Sequence, residues 1–171
     1  MICPSLNADD LYPPPSCFYP FKSVPLSLNA YSESGSDHEW QTAVDHRTRV
    51  GSGCPMCSGA ALSVTNSLAA VDDLAASQWH PTKNGELTPS EVRAGSHLKA
   101  WWTCPVAPDH EWQAVIESRA GSRKLGCPFC SGKMVSLTNS LTHKDPELAE
   151  EWHPTKNGIL TPAEITFGSN K

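Results

Sequence analysis

The feature that most constrains the fold is that the chain repeats itself. DHEWQ at 37–41 returns at 109–113, an offset of 72. The offset then becomes 73 for TNSL (65–68 and 138–141), WHPTKNG (79–85 and 152–158), LTPSEV and LTPAEI (87–92 and 160–165), and the Gly-Ser pairs at 95–96 and 168–169. So many matches in one fixed order mark duplication of a whole unit. With 39% hydrophobic residues and 15 prolines in 171 residues, one large core is a poor fit, and several small folding units are a better one. Trp supplies six aromatics against four Phe and three Tyr, and four of the six fall at matching places: Trp40 with Trp112, and Trp79 with Trp152. The spacing predicts that these four anchor small cores.

The second repeated element carries chemistry. SGCPMCSG at 52–59 and LGCPFCSG at 125–132 are knuckle turns that present two thiols each. In the central copy they combine with Cys104 and His110 at the two ends of another turn, in the order C-x5-H-x16-C-x2-C. Zinc is held by four such ligands in a tetrahedron, and short turns deliver them in pairs without long-range folding. Gly126 and Gly132 flank the knuckle and let its backbone curl towards the thiolates. Cys104, His110, Cys127 and Cys130 are therefore the expected ligands of a structural zinc. Two rivals are a redox dithiol, which lacks its usual βαβ setting, and a disulfide staple, which leaves His110 without a role.

The first copy has His38, Cys54 and Cys57, but Ser32 stands where Cys104 stands in the second. Either Cys17 or Cys3 completes that site, or it is degenerate and holds metal weakly or not at all.

Local punctuation predicts a β-hairpin from LKAWWT (98–103) and EWQAVIES (111–118), and a short helix in KDPELAEEWH (144–153) with Asp145 as N-cap and Pro146 at the first helical position. VDDLAASQWH is its counterpart, and HPTKNG ends each helix with a Pro and an Asn-Gly turn. The expected fold class is small α+β, built of tandem zinc-ribbon or treble-clef units made of β-hairpins, zinc knuckles and short helices. Residues 1–36 read as a divergent, disordered leader, 37–95 as a first, degenerate unit with its WHPTKNG linker, and 96–171 as a complete unit followed by a truncated linker.

The net charge of −5 is unevenly placed: residues 1–40 contribute −4, whereas residues 96–135 carry +2. The chain lacks the overall basicity of a non-specific nucleic-acid binder, yet a local basic face is compatible with it. Arg119, Arg123 and Lys124 precede the second knuckle and are candidate phosphate contacts; an ordinary charged face is the alternative. Trp101 and Trp102 cannot share one side of a strand, so one packs and the other, Trp101, is a candidate stacking surface. His80 and His153 are expected to bond locally. Lys83, Asn84, Lys156 and Asn157 are either phosphate contacts or a solvated turn.

The N-terminus has no basic segment followed by an apolar run, and no stretch is long and apolar enough to span a bilayer. Seven cysteines, an odd count, argue against a secreted disulfide scaffold. An intracellular location, cytoplasm or nucleus, is expected, with no membrane partner.

Taken together, WHPTKNGxLTP, GSHLKAWWTCP, DHEW, GCPFCSG and TNSL resemble the tandem probable zinc-ribbon, or treble-clef, repeat family of unknown function, over about residues 37–171. The resemblance implies zinc as cofactor, with Cys104, His110, Cys127 and Cys130 at the family's ligand positions. It also suggests association with DNA or RNA, since such units occur at times beside endonuclease-like domains. The leading expectation is a non-enzymatic zinc module that binds nucleic acid or accompanies a nucleic-acid enzyme. A protein-interaction or spacer array is the second, and a fragment of a larger nuclease-associated protein the third. No pair of carboxylates with a base, and no open metal position, suggests an enzyme.

Overall fold

The computed structural model describes residues 27–169. Cys3 and Cys17, the proposed substitutes for the missing ligand, lie outside the described residues. Two antiparallel hairpins are built alike: β1 (Ser27–Tyr31) pairs with β2 (Glu39–Ala43), and β3 (Lys99–Thr103) pairs with β4 (Glu111–Val115). Each second strand runs straight into a one-turn helix, α1 (Val44–Thr48) after β2 and α4 (Ile116–Ala120) after β4. The expected strand at 111–118 thus stops at Val115. Ile116 still points to the same side as Trp112, so the alternation of apolar residues survives the change of conformation. After each knuckle come two short helices, α2 (Leu68–Val71) and α3 (Asp73–Ser77) in the first copy, α5 (Leu141–Lys144) and α6 (Pro146–Glu150) in the second.

Residues this short in helix need caps. Ser67 accepts from the Ala70 amide and Asp72 from the Ala75 amide. Ser140 and Asp145 do the same for His143 and Leu148, and Pro146 opens α6 as expected. Each such cap contributes about 1 kcal/mol.

Two sequence expectations change. The leader was expected to lack structure through residue 36, but Ser27–Tyr31 is a strand of the first hairpin. Its signal was weak because Leu28 and Ala30 are the only apolar positions before the terminal Tyr31, with polar Ser27 and Asn29 beside them. The boundary expected between 95 and 96 also cuts through the core rather than around it. Leu68, Ala75, Val92 and Ala94 from before that point pack with Ala100, Trp102, Trp112, Ile116, Ala120 and Phe129 from after it. The compact unit is therefore a linker plus the hairpin that follows it.

Trp102 is the centre of this core. It is fully buried, faces Trp112 across the hairpin register, meets Trp79 edge-on at 5.3 Å between ring centres, and donates its indole N–H to the Ala114 carbonyl at 3.1 Å. Trp112 and Trp79 pack as expected, whereas Trp40 and Trp152 are half-buried and outside this cluster. A Trp102→Ala variant is expected to lose about 3–5 kcal/mol in denaturant unfolding of the zinc-loaded protein; a loss below about 1 kcal/mol would show that the core lies elsewhere.

Candidate metal centre

The turn between β3 and β4 brings Cys104 and His110 to its two ends, and the turn after α4 carries Cys127 and Cys130. Gly132 closes that second turn in the left-handed region, φ +70°, which only glycine adopts without strain. One ligand atom from each of the four side chains lies within 4.8 Å of every other. The Cys104 and Cys130 sulfurs are 3.6 Å apart, and His110 Nδ1 is 3.5 Å from Cys130 Sγ and 3.7 Å from Cys127 Sγ. Bond lengths of about 2.3 Å to sulfur and about 2.0 Å to nitrogen give a zinc tetrahedron edges of about 3.5–3.8 Å. The donor set and its spacing fit zinc, bound through Nδ1 of the histidine. All five described cysteines are free thiols, so the disulfide staple is not formed among them.

The imidazole is oriented from behind. His110 Nε2 is 3.2 Å from the Thr138 hydroxyl, which donates to Asp109 Oδ1 at 2.7 Å, while the Thr138 amide donates to Asp109 Oδ2 at 2.9 Å. Because the hydroxyl proton goes to the carboxylate, the hydroxyl oxygen is left to accept from Nε2–H. That assigns the proton to Nε2 and leaves the Nδ1 lone pair facing the sulfurs. The two Thr138 donors hold the Asp109 carboxyl down to about 2. Its folded value is depressed, so this anchor is complete above the ordinary aspartate range and fades only as pH falls towards 2.

Asn139 ties the knuckle to the same segment. Its amide donates to the Phe129 and Met134 carbonyls at 2.8 and 2.9 Å and its oxygen accepts from the Ser136 amide at 2.7 Å. Phe129 stacks on the His110 ring at 5.0 Å. The sequence reading missed Asp109, Thr138 and Asn139 as parts of the site; the signal was there in DHEW and TNSL, repeated intact in both copies.

The first copy reproduces this arrangement with one ligand short. His38 Nδ1 is 3.3 Å from Cys57 Sγ and 3.6 Å from Cys54 Sγ. Its Nε2 meets Ser63 and Thr65 hydroxyls at 3.0 and 2.9 Å, and Ser63 donates to Asp37. Ser32 Oγ sits 3.7 Å from Cys57 Sγ, where Cys104 Sγ sits against Cys130 in the complete site. The thiols differ in character as a result. Hydrogen bonds from Ser34 and Ser32 bring Cys57 down to about 7, whereas burial and two neighbouring thiols push Cys130 up to about 12 in the absence of a cation.

The candidate nucleic-acid contacts are not all on the surface. Arg119 is buried, its guanidinium between the Trp102 and Trp112 rings at 5.1 and 5.2 Å, with hydrogen bonds to the Leu125 carbonyl and the Gln78 side chain. It is a core cation and cannot reach a phosphate. Arg123 and Lys124 are exposed beside Glu117 and Asp72 at 3.8 and 3.7 Å. Trp101 is half-buried with the Lys83 ammonium 4.8 Å over its ring.

WHPTKNG is a clip for the hairpin edge. His80 Nδ1 accepts from the Thr82 and Lys83 amides, the local bonding expected, while Nε2 lies 3.0 Å from Glu111. Asn84 is neither a phosphate contact nor free in solvent: its side chain pairs with both backbone groups of Trp101, at 2.7 and 3.0 Å.

The family model described as a probable treble clef zinc finger domain matches residues 33–60 and 75–133, just over half of the chain. These two segments contain His38, Cys54 and Cys57, and Cys104, His110, Cys127 and Cys130, respectively. No curated protein matches the chain.

Two unequal zinc sites are expected in chelator competition, with the His38–Cys54–Cys57 ion lost first and the gap narrowed by Ser32→Cys. Thr138→Val, which leaves every ligand in place, is expected to weaken the complete site about 10- to 100-fold; unchanged affinity would show that the hydroxyl relay is idle.

Proposed function

Since the chain belongs to the family described as a probable treble clef zinc finger domain, we propose that it is a non-catalytic module in which zinc holds a nucleic-acid-binding surface in shape. A zinc with three thiolates and one imidazole has a filled tetrahedron, so no position is left to activate water. The observation that carries the nucleic-acid reading is the charge of the complete unit. Lys99, Arg123, Lys124 and Lys133 are exposed around it in a chain whose net charge is −5. Trp101 shares its strand with Lys99 and is half-buried, with the Lys83 ammonium, itself paired with Glu111, 4.8 Å over its ring; its remaining exposed ring surface is the candidate for stacking on bases. Arg119 supports the surface from beneath rather than touching the ligand.

The protein-docking reading is favoured by a separate observation: Leu148, Ile159 and Phe167 leave apolar area exposed at one end of the described residues. The two readings differ in salt dependence. About four cationic contacts give a slope of about −3 in log affinity against log salt, and Lys124→Glu reduces its magnitude by about one. Trp101→Ala is expected to weaken single-stranded DNA or RNA by about 1–3 kcal/mol with the slope unchanged. Absence of binding to single- and double-stranded DNA and RNA at about 1 mM and low salt would reject the nucleic-acid function.

A further inference from the structure

In the middle of the chain the linker 68–96 seats the hairpin that follows it, and each residue position of that seat has a counterpart at the two ends of the described residues. The linker half recurs at 141–169, offset 73, and the hairpin half recurs at 27–48, offset 72. Neither recurring half is covered among the described residues. Ile116 is fully buried but its equivalent Val44 is 40% exposed; Ala75 and Ala94 are 3% and 8% exposed, but Leu148 and Phe167 are 48% and 57%. A groove of about 1380 Å³ runs between the knuckle side, at Val106 and Phe129, and Trp152, Asn157, Ile165 and Phe167, and a hollow of about 470 Å³ lies against Asn29, Ala30, Glu39 and Trp40.

We propose that these halves belong to each other between two copies, so that the 141–169 segment of one chain docks on the first hairpin and α1 of the next. The substitutions between the repeats are complementary in size. The hairpin side loses an indole, Trp102 becoming Ala30, and the linker side gains bulk at two places, Ala75 becoming Leu148 and Ala94 becoming Phe167. They are complementary in charge as well. Arg119 bonds Gln78 in the middle seat; at the ends the same two positions are Arg47 and Glu151. Arg47 is already held like Arg119, with one nitrogen on the Ser52 carbonyl and its guanidinium 5.6 Å from Trp40.

The edge clip is preserved too. His153 Nδ1 accepts from the Thr155 and Lys156 amides as His80 does from its neighbours, and Trp152 donates to Leu160 as Trp79 does to Leu87. The preformed clip finds Glu39 where His80 and Lys83 find Glu111, and the Asn29 backbone where Asn84 finds Trp101. The two halves are different surfaces, so the contact is heterologous and can propagate.

Sedimentation equilibrium of the zinc-loaded chain without nucleic acid tests this. The expected mass rises above 18.5 kDa with concentration. Glu151→Arg and Phe167→Ser, both at exposed positions, are each expected to weaken association at least about tenfold, with zinc content and circular dichroism unchanged. Ala30→Trp restores the residue of the middle seat and is expected to block docking by overfilling it; adding Leu148→Ala and Phe167→Ala is expected to restore it. Mixing Arg47→Glu with Glu151→Arg chains is expected to recover the association each lacks alone. A constant monomer mass overturns the proposal and points to residues 1–26 or another protein as the cover. So does association that Glu151→Arg and Phe167→Ser leave intact.

Discussion

The lone pair on His110 Nδ1 is the atom-scale constraint on which the complete unit depends. A tetrahedral ion joins the hairpin turn to the knuckle only if the imidazole offers that nitrogen, and the tautomer is decided by Thr138, whose hydroxyl donates a hydrogen bond to Asp109 and accepts one from Nε2–H. Thr138 comes from the segment after the knuckle, so three separated stretches meet at one ring. Asn139, next in sequence, fastens the knuckle backbone. The site is thus a junction of chain segments, and the metal supplies cohesion that a core of about ten buried apolar side chains does not supply alone.

The core follows a different grouping from the metal site. Zinc ligands and their supports come from within one repeat, from 104 to 138, whereas the apolar core joins one repeat's linker to the next repeat's hairpin. Arg119 sits where the two groupings touch, between Trp102 and Trp112, with one hydrogen bond to its own knuckle loop and one to the preceding linker. Such interleaving couples neighbouring units energetically, as expected of repeat arrays in which interfaces carry much of the stability.

Much of this was legible from residue order. The grouping of Cys104, His110, Cys127 and Cys130 followed from Cys and His spacing, because short turns deliver such side chains in pairs, and the helix at Pro146 followed from Asp145 as its cap. The first strand was not legible, because Ser27 and Asn29 alternate with only two apolar residues and its pairing partner begins eight residues later. Arg119 was misread because sequence gives the charge of a side chain but not the two indoles that enclose it. Asp109 and Thr138 were visible only as repeated letters: their role needs 29 residues of separation to be closed by the fold.

The loss of Cys104's counterpart at Ser32 shows which parts of the unit are separable. The first copy keeps the hydroxyl relay, the knuckle and the Asn66 clamp to Met56 and Ala61, so the scaffold persists with three ligands. It also keeps Arg47 on the knuckle loop while changing the residues that would face a preceding linker, Trp102 to Ala30 and Ile116 to Val44. Both the metal-facing and the linker-facing sides of the first hairpin therefore differ from their counterparts, while the relay and the knuckle are kept.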